Sequence, residues 1–122
     1  MPAHAFPAGF LEGVRHFNSG RFFEAHEAFE ELLDAVESDG RWDLLLALVQ
    51  VAVGYHKAAA GHPGAARMLR LGSEKLAPLP PLAWGLEVEH LRRCAADDLA
   101  AFEAGESPAE RLGRCPPRIR LA

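Results

Sequence analysis

A chain of 122 residues with a formal net charge of −4 fits one domain that buries its own core, and is too acidic to be drawn to nucleic acid by charge alone. Its 49% apolar and 25% charged residues describe a soluble globular protein rather than a disordered one. Its apolar stretch LLLALVQVAVGY, broken by Gln50 and Gly54, falls short of the ~20 residues of a membrane helix, and the opening MPAHAFPAGFLEG has neither the basic start nor the apolar core of a secretory signal, so the expected place is the cytoplasm.

Alternating β-branched runs are absent, whereas helical spacing runs through the chain. Phe10, Leu11, Val14 and Phe17 make the stripe of a first helix stopped near Asn18-Ser19-Gly20. Phe22, Ala25, Phe29, Leu32, Leu33 and Val36 make a second, stopped by Ser38-Asp39-Gly40. From Trp42 to Ala60 the sequence is apolar on nearly every side, the mark of a central helix with several neighbours. Gly61-His62-Pro63 ends it, and Pro63 suits the first turn of a fourth helix running to about Leu76. Pro78, Pro80 and Pro81 form a rigid link. A fifth helix over 83–104 then carries Trp84, Val88, Leu91, Ala95, Leu99 and Phe102 on one stripe.

Residues 105–122 read as an irregular basic tail. Arg111, Arg114, Arg118 and Arg120 are expected beside acidic surface, with Ile119 and Leu121 as the anchors. The fold expected is therefore a single all-α domain over 1–122, a bundle of about five helices built from two helical hairpins plus the last helix and tail.

A repeat supports the hairpins. Gly13, Gly20 and Ala25 recur as Gly54, Gly61 and Ala66. In each copy a small residue sits mid-helix, a glycine closes the turn, and an alanine lies where the return helix passes closest. The first copy, through Phe17, Phe22 and Phe29, resembles the hairpin of a tetratricopeptide repeat. The second holds Ala58, Pro63 and Arg70 at the aromatic places, so two hairpins are expected but not a superhelical array.

Chemistry gathers in the second helix. His26-Glu27-Ala28-Phe29-Glu30 is one residue short of the HExxH that binds zinc. At 100° per residue, His26 and Glu30 lie about 40° and one turn apart, at the border of the core beside Phe23. Glu24, Glu27, Glu31 and Asp34 cover the outer face, where a solvated surface explains them. A metal would need a further donor, and His56 is the best one, falling among Trp42, Leu45, Val49, Ala52 and Ala59 on the most apolar face of the central helix. Gln50 points about 120° away from His56 and roughly 9 Å along the axis, so one ion would not hold both. Glu87-Val88-Glu89-His90 is half of a di-iron motif without its second half. His16 shares an outer face with Glu12, His4 lies in a frayed end and His62 in a turn. No P-loop, Rossmann glycine pattern or G-x-S-x-G occurs. Cys94 and Cys115 have no metal spacing; they are expected as free thiols, a bridge that ties the tail to the last helix being the alternative.

FNSGRFFEAHEAFEELL followed by LVQVAVGYHKAAAGHPGAARML resembles the domain of unknown function 309 family, over roughly residues 8–76. The matching positions are Phe17, Asn18, Gly20, Phe23, Glu24, Ala25, His26, Glu27, Glu30, Gln50, His56, Gly64 and Ala65. Leu32-Leu33 stands where that family often has a tryptophan, and Gly61-His62 where its second turn often reads glycine-asparagine. The resemblance implies an all-α bundle and supplies no activity.

Three functional readings follow. The first is a non-enzymatic helical module that binds a protein partner or small ligand at the His26, Glu27, Glu30 surface, without cofactor, nucleic acid or membrane, and with a homodimer left open. The second is a divalent-metal site or metal-dependent hydrolase using His26, Glu30 and His56, with Glu27 as base. The third is a structural polar cluster that holds the second and third helices in register. Asn18, Glu24 and Gln50 accompany the site as polar residues of the family motif, and Gly20, Gly61 and Gly64 as turn residues.

Overall fold

Gly20 and Gly61, with φ of 79° and 69°, occupy the left-handed region that a Cβ disfavours, and at each the chain doubles back. The computed structural model describes residues 6–36 and 40–122. In it α1 (Phe10–Asn18) returns as α2 (Phe22–Leu32), and α3 (Gly40–Ala59) returns as α4 (Ala65–Leu76). A 3₁₀ turn, Leu33–Ala35, extends α2, after which Val36 is extended. Ser38 and Asp39 of the expected stop, like His4, lie outside the described residues, and Gly40 opens α3 instead of closing α2. Pro63 precedes α4 by two residues rather than sitting in its first turn.

Both hairpins close through small residues, as their spacing predicted. A Cβ on Gly13 would stand 2.6 Å from the Phe29 ring, and one on Gly54 would stand 2.8 Å from the Leu69 backbone nitrogen. Ala25 is fully buried, but in the second hairpin Ala65 takes that place rather than Ala66. Gly72 completes the contact from the other helix, since its Cβ would lie 2.8 Å from the Val51 nitrogen. Helix α3 packs on α2, α4 and a short C-terminal helix over Pro108–Arg114, which is why its apolar residues show no single inward face; Leu44, Leu45, Val51, Ala52 and Tyr55 are all fully buried.

The C-terminal third departs from expectation. The fifth helix begins at Val88, not 83, as α5 (Val88–Glu103), because a small hairpin precedes it. Strand β1 (Leu82–Ala83) pairs antiparallel with β2 (Leu86–Glu87), joined by Trp84 and Gly85 with φ of 49° and 83°. Positive φ at both central residues is the mark of a type I′ turn, whose twist matches that of paired strands. Trp84 therefore belongs to a turn and not to a helical stripe. The tail is not wholly irregular either. Helix α6 (Pro108–Arg114) starts where Ser107 Oγ accepts from the Glu110 N–H at 3.4 Å, with proline in the first turn, a cap and start signal legible in Ser107-Pro108-Ala109-Glu110.

Beyond α6 the chain joins the hairpin. Leu121 bridges Leu86, and the Glu87 N–H donates to the Arg120 carbonyl at 2.9 Å. Ile119 is packed as expected, at 2% exposure, while Leu121 is left 36% exposed. The tail arginines pair with acids of the C-terminal region, Arg111 with Asp98 and Glu106, Arg114 with Glu106 and Arg120 with Glu87, rather than with those of α2. Among the described residues no helix is long and apolar enough to cross a membrane.

Asn18 gives the tail its register. Its Nδ2 donates to the Ile119 carbonyl at 2.9 Å and its Oδ1 accepts from the Ile119 N–H at 2.7 Å, so the side-chain amide copies one peptide unit of a ladder. Asn18→Ala leaves both backbone groups of a buried residue unpaired, a loss of about 2 kcal/mol. Limited trypsin digestion is expected to cut after Arg118 at least tenfold faster in the variant; equal rates would place the anchor elsewhere.

Candidate functional site

The second helix presents its acids because the apolar stripe Phe22, Ala25, Phe29 and Leu32 turns the other way and is buried. His26 and Glu30 meet as their i, i+4 spacing predicted, with Nε2 2.9 Å from Oε2. The other ring nitrogen, Nδ1, lies 3.2 Å from the Phe23 carbonyl. Both neighbours are acceptors; a neutral imidazole can donate to one of them, an imidazolium to both.

Phe23, expected on the same side as His26 and Glu30, joins them. It is 46% exposed, and its ring centroid stands 5.3 Å from that of His26 and 5.3 Å from that of His56. The two histidines thus come to one place, but with a phenyl ring as their shared neighbour. His56 is exposed, which corrects the expectation of a deeply buried imidazole: Tyr55 takes the inner position, and His56 stands in the last turn of α3, where a basic group suits the carbonyl end of the helix. His56→Ala accordingly has no buried partner to strand.

Glu24, Glu27, Glu30 and Glu31 are all exposed. His26, Glu27, Glu30 and Glu31 line a shallow cleft of about 360 Å³. Glu27 and Glu31 also line a second cleft of about 300 Å³ on the α1 side, with Glu12, His16 and Glu24, where His16 Nε2 is 3.6 Å from Glu12 Oε1. The two clefts make one acidic surface across α1 and α2. Among the described residues no three His, Cys, Asp or Glu side chains are placed to hold a metal ion together, so the set His26, Glu30 and His56 is not assembled as a chelate.

The remaining motif residues serve elsewhere. Gln50 is half-buried on α3, its Oε1 enclosed without a hydrogen-bond partner. Asn18 holds the tail. Gly64 has an ordinary φ of −85°, and its N–H donates to His62 Nδ1 at 2.9 Å; of the three turn glycines it is the one whose backbone does not require glycine.

One polar cluster was not foreseen. Asp98 is 4% exposed, the one buried charged residue among those described. The Tyr55 hydroxyl donates to Asp98 Oδ2 at 2.5 Å and Arg111 Nε donates to Oδ1 at 2.6 Å, which ties α3, α5 and α6 together. Burial, reinforced by the Asp98 charge and hydrogen bond, pushes the Tyr55 hydroxyl well above its usual range, and the hydrogen bond to Asp98 raises the Arg111 guanidinium. The signal was present in the sequence: Asp98 follows Leu91 by seven residues and Ala95 by three, inside the apolar stripe of α5.

Comparison with known proteins finds one family over the two helical hairpins. A family model described as domain of unknown function (DUF309) matches residues 10–69, from the start of α1 into α4. No curated protein matches the chain.

Proposed function

From a chain that belongs, through residues 10–69, to the domain of unknown function 309 family, we propose a non-enzymatic binding module that receives a basic segment of a protein partner on the surface of α2. The observation that carries this reading is Phe23, a large aromatic left 46% exposed between two imidazoles, one of which, His26, also lines the cleft of Glu27, Glu30 and Glu31. A lysine or arginine side chain laid on that ring gains a cation–π contact of about 1 kcal/mol, and the carboxylates at the rim steer it there. The likeness of the first hairpin to a tetratricopeptide hairpin fits such a role, as does a cytoplasmic setting.

The probe is a short lysine- and arginine-rich peptide, titrated by calorimetry against its glutamate counterpart. The basic peptide should bind, more weakly as salt rises, and Phe23→Ala and a Glu27→Gln, Glu30→Gln, Glu31→Gln triple variant should each weaken it about tenfold. Equal affinity for both peptides, or variants that bind like the parent chain, would defeat the reading.

The metal reading keeps one supporting observation, the carbonyl of Phe23 facing His26 Nδ1 at 3.2 Å, a contact that often orients a ligating imidazole. Thermal melts of chelated protein with and without zinc or manganese decide it. Superimposable melts are expected; a rise with metal that His26→Ala abolishes would restore the metal site.

A further inference from the structure

Cys94 and Cys115, far apart in sequence and each a free thiol, line the same cleft. It is a space of about 250 Å³ between α5 and α6, with Asp97, Arg111 and Pro117 in its wall. Cys115 is exposed and caps the C-terminal end of α6. Pro116 and Pro117 follow it, and their fixed φ limits how far the chain can swing away; Pro117 is buried.

Cys94 is half-buried on α5 and has donors around its sulfur. His90 Nε2 is 3.6 Å from Sγ, while His90 Nδ1 faces Arg120 Nη1 at 3.3 Å. A guanidinium can only donate, so Nδ1 accepts and the proton of a neutral ring sits on Nε2, directed at the sulfur. The Arg118 backbone N–H is a second donor to it, although burial outweighs that hydrogen bond and holds the Cys94 thiol above its usual range. One thiol is thus open to reagents and the other is sheltered behind it in the same cleft, the arrangement of an attacking and a resolving cysteine.

We propose that Cys94 and Cys115 form a redox modification site, which a low-molecular-weight disulfide converts into an intramolecular bridge. The Cys115 thiolate attacks one sulfur of the reagent; the reagent's S–S bond breaks, a mixed disulfide forms at Cys115, and the first small thiolate leaves and takes a proton from water. Cys94 then loses its proton to solvent and attacks Cys115 Sγ, so that the protein S–S bond forms and the second small thiolate leaves. Two protein thiols are oxidised by two electrons, and the reagent is reduced to two thiols. The bridge closes a loop of roughly 20 residues and fastens α6 to α5 over the Asp98–Arg111 contact.

Oxidised glutathione is the probe, applied to the folded, reduced full chain. Two titratable thiols should fall to none, with a mass two hydrogens lower, no retained adduct, and a tryptic peptide pair that separates on reduction. Cys94→Ser should stop at a glutathione adduct on Cys115, and Cys115→Ser should react at least tenfold more slowly. The bridged form should melt about 5 °C or more above the reduced form. A stable glutathione adduct on the parent chain, linkage between molecules, or a bridged form that melts no higher would each overturn the proposal.

Discussion

Asp98→Ala is expected to remove about 3–5 kcal/mol of unfolding free energy, the usual consequence of deleting one partner of a buried ion pair. The loss comes from what stays behind. Arg111, whose side chain is 21% exposed, keeps its charge with only a 3.4 Å contact to Glu106 in reserve, and the fully buried Tyr55 hydroxyl loses its acceptor. Against a domain stability of roughly 5–15 kcal/mol, that is a large share of what holds the protein folded. Tyr55→Phe removes the donor but strands only one of the two Asp98 oxygens, and should lose about 1–2 kcal/mol. Urea unfolding of the three proteins orders them; Asp98→Ala as stable as Tyr55→Phe would mean that Arg111 re-pairs without loss.

The same cluster sets an alkaline limit. Tyr55 carries its proton in the fold beyond the pH at which an unfolded tyrosine releases it, about 10. The unfolded chain therefore binds fewer protons than the folded one above that pH. Stability from this source is complete below about pH 10 and falls as pH rises toward the folded value. Because Tyr55 is the chain's one tyrosine, the tyrosinate absorbance band reports it alone. It should appear together with unfolding, and the steep alkaline loss should be absent from Tyr55→Phe. A tyrosinate signal that develops near pH 10 while the helical circular dichroism persists would contradict the burial argument.

What could be read from sequence divides along physical lines. The hairpins were legible because close helix contact needs small residues at fixed spacing, and Gly13, Gly54, Gly20 and Gly61 state that spacing directly. The His26–Glu30 contact was legible because i, i+4 proximity is a property of one helix alone. The depth of His56 was not, since α3 is apolar on all sides and only its neighbours decide which residue turns inward. Trp84 looked helical because its spacing to Val88 and Leu91 is helical; the type I′ turn shows itself only in Gly85 and in the prolines that keep a helix from starting earlier. Two-residue strands carry no periodicity to find. Asp98 is hidden for a different reason: next to Asp97 it reads as one of a pair of solvated acids, and its partners Tyr55 and Arg111 lie 43 and 13 residues away.

Gly54→Ala tests how rigid that helical core is. An alanine in a helix interior normally gains about 1 kcal/mol over glycine. Here the new Cβ would stand 2.8 Å from the Leu69 nitrogen and 2.9 Å from its Cα, and backbone atoms cannot rotate aside. Helices α3 and α4 must separate, which loosens the packing of Val51 on Gly72 at the same crossing. Overpacking of this kind costs about 1–3 kcal/mol and sometimes more, so a net loss of about 2 kcal/mol is expected after the gain in propensity. Gly13→Ala is the comparison, because its Cβ meets the Phe29 ring, a side chain that can shift; its loss should be smaller, under about 1 kcal/mol net. If Gly54→Ala proves as stable as the parent chain, the α3–α4 contact is softer than its geometry indicates. The double variant Gly54→Ala, Gly72→Ala sharpens the point: one separation of the two helices relieves both clashes, so the second substitution should add less than it removes alone. Strict additivity would mean that the two contacts yield independently, and that α3 and α4 do not meet as one rigid crossing.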